Sequence, residues 1–220
     1  MAAMKLAVLI SGRGSNLQAL IDACAKDEFP AEIALVLSNK ADAQGLHRAA
    51  QGGIATAVLK HTDYANREAF DRAMSERLEE AGVDLICLAG FMRLLSDGFV
   101  KRWRDKVINI HPSLLPAFKG LHVHERAVEA GVRFSGCTVH VVRPAMDEGP
   151  IIAQAVVPVL QNDTADDLAA RILIQEHRIY PMAVRLIAEG RLRIGAERAI
   201  VDAPEPKAEA MINPCEKTTR

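Results

Sequence analysis

The sequence predicts an α/β fold, a doubly wound, mainly parallel, Rossmann-like sheet that takes on antiparallel strands near its C-terminal edge. Three observations carry this. Over the first half of the chain, short runs rich in Val, Ile and Leu alternate with stretches of helical spacing, the pattern of βαβ units. Those runs are nearly continuous in apolar character, as strands buried on both faces of a parallel sheet are. Beyond Pro116 two β-rich runs are joined by so short a connection that they must pair antiparallel.

A chain of 220 residues is long enough for one well-buried core, so a single domain over residues 1–202 is expected, followed by a mobile tail over 203–220. Hydrophobic residues at 50% and charged residues at 25% fit a soluble globular protein and exclude a disordered one. A formal net charge of -1 gives no general attraction to nucleic acid or to an anionic membrane, so any anion has to be bound by local design. Cys24, Cys87, Cys137 and Cys215 are widely spaced with no C-x-x-C pair, and three lie in apolar periodic segments. They read as free thiols of a reducing, cytoplasmic compartment. No secretory cleavage site follows the N-terminal apolar run, and no run approaches the roughly 18 residues a membrane span needs.

Residues 5–10 form a compact apolar strand, and Ser11-Gly12-Arg13-Gly14-Ser15-Asn16 turns at once into the helical spacing of Leu17, Leu20, Ile21 and Cys24. Such a strand–turn–helix brings free N–H groups and a positive dipole end onto the turn, where an anion can sit. Arg13, Ser15 and Asn16 can add donors; the competing reading is a plain βα turn with Ser15 or Asn16 as a helix cap. Residues 32–37 make a second strand, 41–51 a helix ended by Gly52-Gly53, and 55–59 a third strand. Residues 66–81 are helical through Phe70, Met74 and Leu78, with Arg67 in the first turn, where it opposes the dipole and is either solvated or faces an anion. Residues 83–90 read as a central strand, ending at Phe91-Met92-Arg93-Leu94-Leu95, which is either ordinary core or the wall of a pocket for a flat ring. A short helix over 97–103 precedes the next strand.

That strand, 107–110, is the focus of the chain. A period of 2 puts Asn109 and His111 on one side as the strand ends, and Pro112 stops the ladder. A carboxamide donor and a protonatable imidazole thus leave the sheet together at the edge where open α/β sheets bind ligands. Taken alone, the pair also fits a turn former beside a satisfied structural histidine. Downstream come a loop at 117–122, a short helix at 125–130, strands at 136–142 and 151–157 around a turn at 144–149, and a long helix capped by Asp163 or Thr164, with Pro181 bending it near 177–180. After Arg193 periodicity is lost.

Asn109-Ile110-His111-Pro112-Ser113-Leu114-Leu115-Pro116, with Asp147-x-Gly149-Pro150-Ile151 downstream, resembles the two-part signature of the 10-formyltetrahydrofolate-dependent formyltransferases. The resemblance covers about residues 4–195 and includes Ser38-Asn39-Lys40, Leu88-Ala89-Gly90-Phe91-Met92-Arg93, Gly120-Leu121-His122-x-His124, and Gln175-Glu176-His177. It implies a catalytic set of Asn109, His111 and Asp147, with 10-formyltetrahydrofolate as co-substrate and no metal. It implies that Gly14, Ser15 and Asn16 hold the phosphate of a ribonucleotide substrate, that Arg67 and Glu176 contact the same substrate, and that Met92, Arg93, Leu94 and Leu95 form the folate pocket with Asn109 and Asp147. Residues 1–104 then make a phosphate-binding half and 105–202 a catalytic and folate-binding half, with a mobile loop over about 117–132. The implied reaction is formylation of the amine of 5'-phosphoribosylglycinamide in purine biosynthesis by a monomer or homodimer with small-molecule substrates, without nucleic acid or membrane partners.

The chemistry agrees. An amine attacks a formamide carbonyl, an oxyanion develops, and a nitrogen leaving group needs a proton; Asn109 and protonated His111 can donate to the oxygen while Asp147 holds His111 cationic and relays the proton through water. The absence of a domain before Lys5 and of a sizeable C-terminal RNA-binding domain disfavours the family's water-accepting and tRNA-directed branches. Retention of all three polar residues argues against a non-catalytic sensor on the same scaffold. His111, His122, His124 and His140 lack the i, i+4 spacing around a carboxylate that a helical metal hydrolase motif needs.

Overall fold

Alternating apolar runs and helices close into one seven-stranded sheet in the computed structural model, which describes residues 2–204 and 210–214. The elements are β1 (Met4–Ile10), α1 (Ser15–Cys24), β2 (Ala31–Ser38), α2 (Gln44–Gln51), β3 (Thr56–Val58), α3 (Arg67–Glu80), β4 (Leu85–Leu88), α4 (Asp97–Arg102), β5 (Val107–His111), α5 (Val123–Glu129), β6 (Phe134–Val141), β7 (Ile151–Pro158) and α6 (Ala165–Ala188). A separate hairpin follows, β8 (Leu192–Gly195) with β9 (Arg198–Val201).

The strand order is β3-β2-β1-β4-β5-β6-β7, parallel through β5 and antiparallel at β6 and β7. The chain moves outward from β1 to β3 and then returns to the other side of β1 with β4. That reversal opens a crevice at the carboxyl ends of β1 and β4. The period of 2 sorts β1 between two buried layers. Leu6, Val8 and Ile10 face a cluster with Leu17 and Leu20 of α1 and Leu168 and Ile172 of α6. Ala7 and Leu9 face Phe70, Met74 and Leu78 of α3 and Phe99 of α4.

Thr164 caps α6, with Asp167 completing a capping box, and the helix runs on through Pro181 to Ala188. Tyr180 fastens it to the sheet. Its ring is fully buried and its hydroxyl proton is shared between the carbonyls of Leu88 at 3.0 Å, the last residue of β4, and Ile108 of β5 at 3.4 Å. Cys24, Cys87 and Cys137 are free; burial pushes the Cys24 thiol up to about 11 and that of Cys137 up to about 12, so they stay protonated and inert. Cys215 lies outside the described residues.

Two expectations need correction. Helix α2 begins at Gln44, because residues 41–43 form a turn that brings Gly45 against Gly12. The chain after Arg193 is regular, since β8 and β9 pair over four registered positions through a two-residue turn. Both turn residues, Ala196 (φ 48°) and Glu197 (φ 58°), are left-handed, the geometry that suits a hairpin, but neither is the Asn or Gly that announces it. The tail expected from residue 203 falls largely outside the described residues. Within them, Asn213 donates its amide to the carbonyls of Arg133 at 2.6 Å and Val159 at 3.0 Å.

Tyr180→Phe removes the one hydroxyl donor between these two carbonyls, so it is expected to cost about 1–2 kcal/mol of stability. Urea unfolding of the two proteins checks this.

Candidate active site

The crevice at the reversal point is built from three strand ends. Ser11 follows β1, and its N–H donates to the Gly90 carbonyl beyond β4 at 3.1 Å. The Ser11 hydroxyl, itself buried, donates to Asn39 Oδ1 at 2.6 Å and accepts from the Met92 N–H at 2.8 Å. The glycine-rich turn and the Met92–Leu95 segment are therefore tied side by side.

Gly14 is the N-cap of α1, at φ 71° and with no side-chain cap hydrogen bond. The reading of Ser15 or Asn16 as that cap is corrected, since both lie inside the helix. A Cβ on Gly14 would lie 2.7 Å from the Gly45 Cα, so helix α2 packs directly on the turn and only glycine fits. Arg48 of α2 donates to the Arg13 carbonyl at 3.0 Å and buttresses the turn from behind. The N-terminus of α1 thus carries no side-chain cap, which leaves its first N–H groups to an anion. Asn16 donates to Glu176 Oε2 at 2.7 Å, while its own Oδ1 is buried without a partner. Burial raises the Glu176 carboxyl above its usual range, with the Asn16 bond opposing that shift. The turn, Asn16 and Glu176 meet; Arg67 is half-exposed, pairs at 3.8 Å with Glu68, and makes no hydrogen bond or ion pair to the turn among the described residues.

Asn109 and His111 emerge together at the end of β5, as their spacing predicts. His111 is 6% exposed. Its Nδ1 lies 3.5 Å from Asp147 Oδ2, an ion-pair separation, and its Nε2 lies 3.0 Å from the Phe118 carbonyl. Both ring nitrogens thus face oxygens, a carboxylate at ion-pair distance and a carbonyl at hydrogen-bond distance. Asp147 sits in the 144–149 turn at φ 52°, and its Oδ2 also accepts the Gly120 N–H at 2.8 Å. Residues 117–122 are in turn folded over His111: Ser113 donates to the Ala117 carbonyl at 2.6 Å and Arg126 to that of Lys119 at 2.6 Å.

His140 escaped the sequence reading except as a metal ligand. It is buried on β6 opposite Asn109. Its Nδ1 donates to the Val141 carbonyl at 3.2 Å, which leaves Nε2 to accept from Asn109 Nδ2 at 3.2 Å. Burial lowers the His140 pKa and keeps the ring neutral, as that acceptor role needs. One Asn109 N–H is thereby fixed, and the other makes no hydrogen bond among the described residues. The register of the antiparallel partner was the only signal for this pair. Among the described residues, no three His, Cys, Asp or Glu side chains converge as metal ligands.

Met92, Arg93 and Leu94 are exposed and Leu95 half-buried. Met92 and Leu94 are each 63% exposed, and the Met92 N–H is held by the Ser11 hydroxyl at the end of β1. Large exposed apolar side chains on a fixed segment suit a flat ring.

The formyl transferase family matches residues 4–184. Phosphoribosylglycinamide formyltransferase of Escherichia coli (strain K12) is 47% identical over 199 residues, covering 90% of this chain and 94% of its own length. The trifunctional purine biosynthetic protein adenosine-3 of Bos taurus is 52% identical over 191 residues, and the chain spans about a fifth of its length, 19%. Among solved structures, glycinamide ribonucleotide transformylase 1 from Symbiobacterium toebii superposes with a TM-score of 0.89 at 51% identity, covering 90% of this chain and 94% of that one. The sheet order, the strand-end cluster and these likenesses lead to one conclusion: the chain belongs to the formyl transferase family, in its phosphoribosylglycinamide formyltransferase branch.

Proposed function

We propose that the chain transfers the formyl group of 10-formyltetrahydrofolate to the amine of 5'-phosphoribosylglycinamide, giving the N-formyl ribonucleotide and tetrahydrofolate in purine biosynthesis. The observation that carries the reading is the buried His111 held between Asp147 and a carbonyl, with Asn109 beside it, one strand end away from an uncapped helix N-terminus.

The ribonucleotide phosphate sits on the Gly14–Ser15–Asn16 turn, and Glu176 accepts from the polar end of the same substrate, with Arg67 at the N-terminus of α3 adding positive charge. The pterin lies against Met92, Arg93, Leu94 and Leu95, closed by the turn that carries Asp147. The amine nitrogen attacks the formyl carbon and the carbonyl oxygen becomes an oxyanion. The free Asn109 N–H and His111 Nε2–H donate to that oxygen, which takes the place the Phe118 carbonyl holds at 3.0 Å. Asp147 balances the imidazolium and passes the amine's proton through water toward the departing nitrogen. Nothing in this sequence calls for a metal or a covalent nucleophile.

Residues 1–202 make the catalytic unit and 203–220 lie outside it. A cytoplasmic location fits the three free thiols, and no helix among the described residues is long and apolar enough to cross a membrane. The enzyme acts as a monomer or homodimer. Incubating the protein with the folate donor and the ribonucleotide tests the function directly: formylated ribonucleotide supports it, and formate in its place means that water is the acceptor.

Asp147→Asn is expected to bind both substrates nearly normally while turnover falls by about 100-fold or more; full turnover in the variant refutes the relay. Gly14→Val places a branched side chain at a left-handed position against Gly45, so calorimetry is expected to show ribonucleotide affinity falling about tenfold or more with donor affinity little changed. Equal losses would mean general unfolding.

Glu176 supplies a pH test. Its carboxyl titrates higher in the folded chain than in the unfolded one, so the stability tied to its proton is fully present below the unfolded value and is lost as pH rises through the raised folded value. Glu176→Gln is therefore expected to raise the Tm of the ligand-free protein at pH 7, to match wild type near about pH 3, and to raise the ribonucleotide KM. Thermal scans at both pH values and steady-state kinetics check the two halves.

A further inference from the structure

The matched family region ends at residue 184, yet the hairpin beyond it reaches back to the turn that carries Asp147. Arg143 is the junction. It leaves β6 at the base of the 144–149 turn, and its side chain is only 10% exposed. Its stem packs on Gly149 at the far end of the same turn, where a glycine Cβ would lie 3.2 Å from Arg143 Cγ. One side chain therefore touches both ends of the turn.

The guanidinium of Arg143 is fixed at three points. Nη2 donates to Asp105 Oδ1 at 2.6 Å, Nε to Glu197 Oε2 at 2.6 Å, and Nη1 to the Val142 carbonyl at 3.2 Å. Glu197 also pairs with Arg104 through its other oxygen. These hydrogen bonds hold the Glu197 carboxyl below its usual range. Asp105 (φ 62°) and Glu197 (φ 58°) are both non-glycine residues in the left-handed region. Backbone held in that region persists where its surroundings over-determine it, and here the shared contact is Arg143.

We propose that Arg143 and Glu197 are positioning residues for the reaction, a clamp through which the C-terminal hairpin sets the placement of the Asp147 turn. The inference rests on the reading of Asp147 as the relay carboxylate. Because the turn also closes the folate pocket, loss of the clamp is felt in the donor KM and in kcat, while the ribonucleotide site at Gly14 and Glu176 is left alone.

Arg143→Met keeps the packed stem and removes the donors; Glu197→Gln, on an exposed side chain, keeps the shape and removes the charge. Arg143→Met is expected to lower kcat/KM for the folate donor by about tenfold or more, since displacements of about an ångström cost that much, with ribonucleotide KM within about twofold of wild type. Glu197→Gln should move the same constants the same way by less, and Arg143→Lys should restore part of the loss. In an Asp147→Asn background the kcat effect of Arg143→Met should vanish, because the turn then has no carboxylate to place. A lower Tm with unchanged kcat and donor KM would make the clamp merely structural and overturn the proposal, as would equal rises in both KM values. If Asp147→Asn alone keeps full turnover, it is the catalytic reading that fails, and the donor KM of Arg143→Met still decides whether the clamp sets the turn.

Discussion

A polar side chain at the end of a buried strand has to be paid for with hydrogen bonds, and the pairing of His111 organises the rest of this site. Its ring is almost out of water, with one nitrogen aimed at Asp147 and the other at the Phe118 carbonyl. An unpartnered polar ring there would be costly, so both flanking segments close on β5. The 117–122 stretch brings the carbonyl, the 144–149 turn brings the carboxylate, and the Gly120 N–H joins them by donating to Asp147. Folding thus delivers an oxygen to each nitrogen of the buried ring.

The two histidines at this strand end are given different partners by their surroundings. His140 sees a carbonyl at Nδ1 and a carboxamide donor at Nε2, and burial lowers its pKa. The Asp147 carboxylate opposes that shift but lies 3.9 Å from His140 Nε2, against 3.5 Å from His111 Nδ1. One ring accepts from Asn109 and orients its carboxamide, and the other is held between a carboxylate and a carbonyl. Side chains fixed from two directions in this way need little reorganisation to act as donors.

Much of this was legible in the sequence, for reasons that particular residues make plain. Asn109 and His111 share a strand, so a period of 2 was enough to place them together, and Pro112 marked where the strand stops. The glycine turn before α1 was legible because strand, turn and helix are contiguous. What could not be read depended on distant partners. Gly14 must be glycine because Gly45, from another helix, touches it. Asn109 is oriented by His140 across an antiparallel register that no local pattern fixes. The β8–β9 hairpin was missed because Ala196 and Glu197 occupy turn positions usually announced by Asn-Gly, and the ion pairs that hold them come from Arg104 and Arg143, far away in the chain.

The distribution of strained backbone joins these observations. Among the described residues, the non-glycine residues at positive φ are Asp105, Phe118, His122, Asp147, Ala196 and Glu197. Phe118, His122 and Asp147 belong to the two segments that close over His111; Asp105, Ala196 and Glu197 belong to the clamp around Arg143. Each such conformation costs about 1–3 kcal/mol and survives only where its neighbours enforce it. These residues fall in two groups joined by the 144–149 turn, one beside the imidazole and one at the root of the carboxylate that faces it; at Ala196 and Glu197 the conformation is also the one a two-residue hairpin needs. The packed core offsets that cost, and both groups border the turn that holds Asp147 Oδ2 3.5 Å from His111 Nδ1.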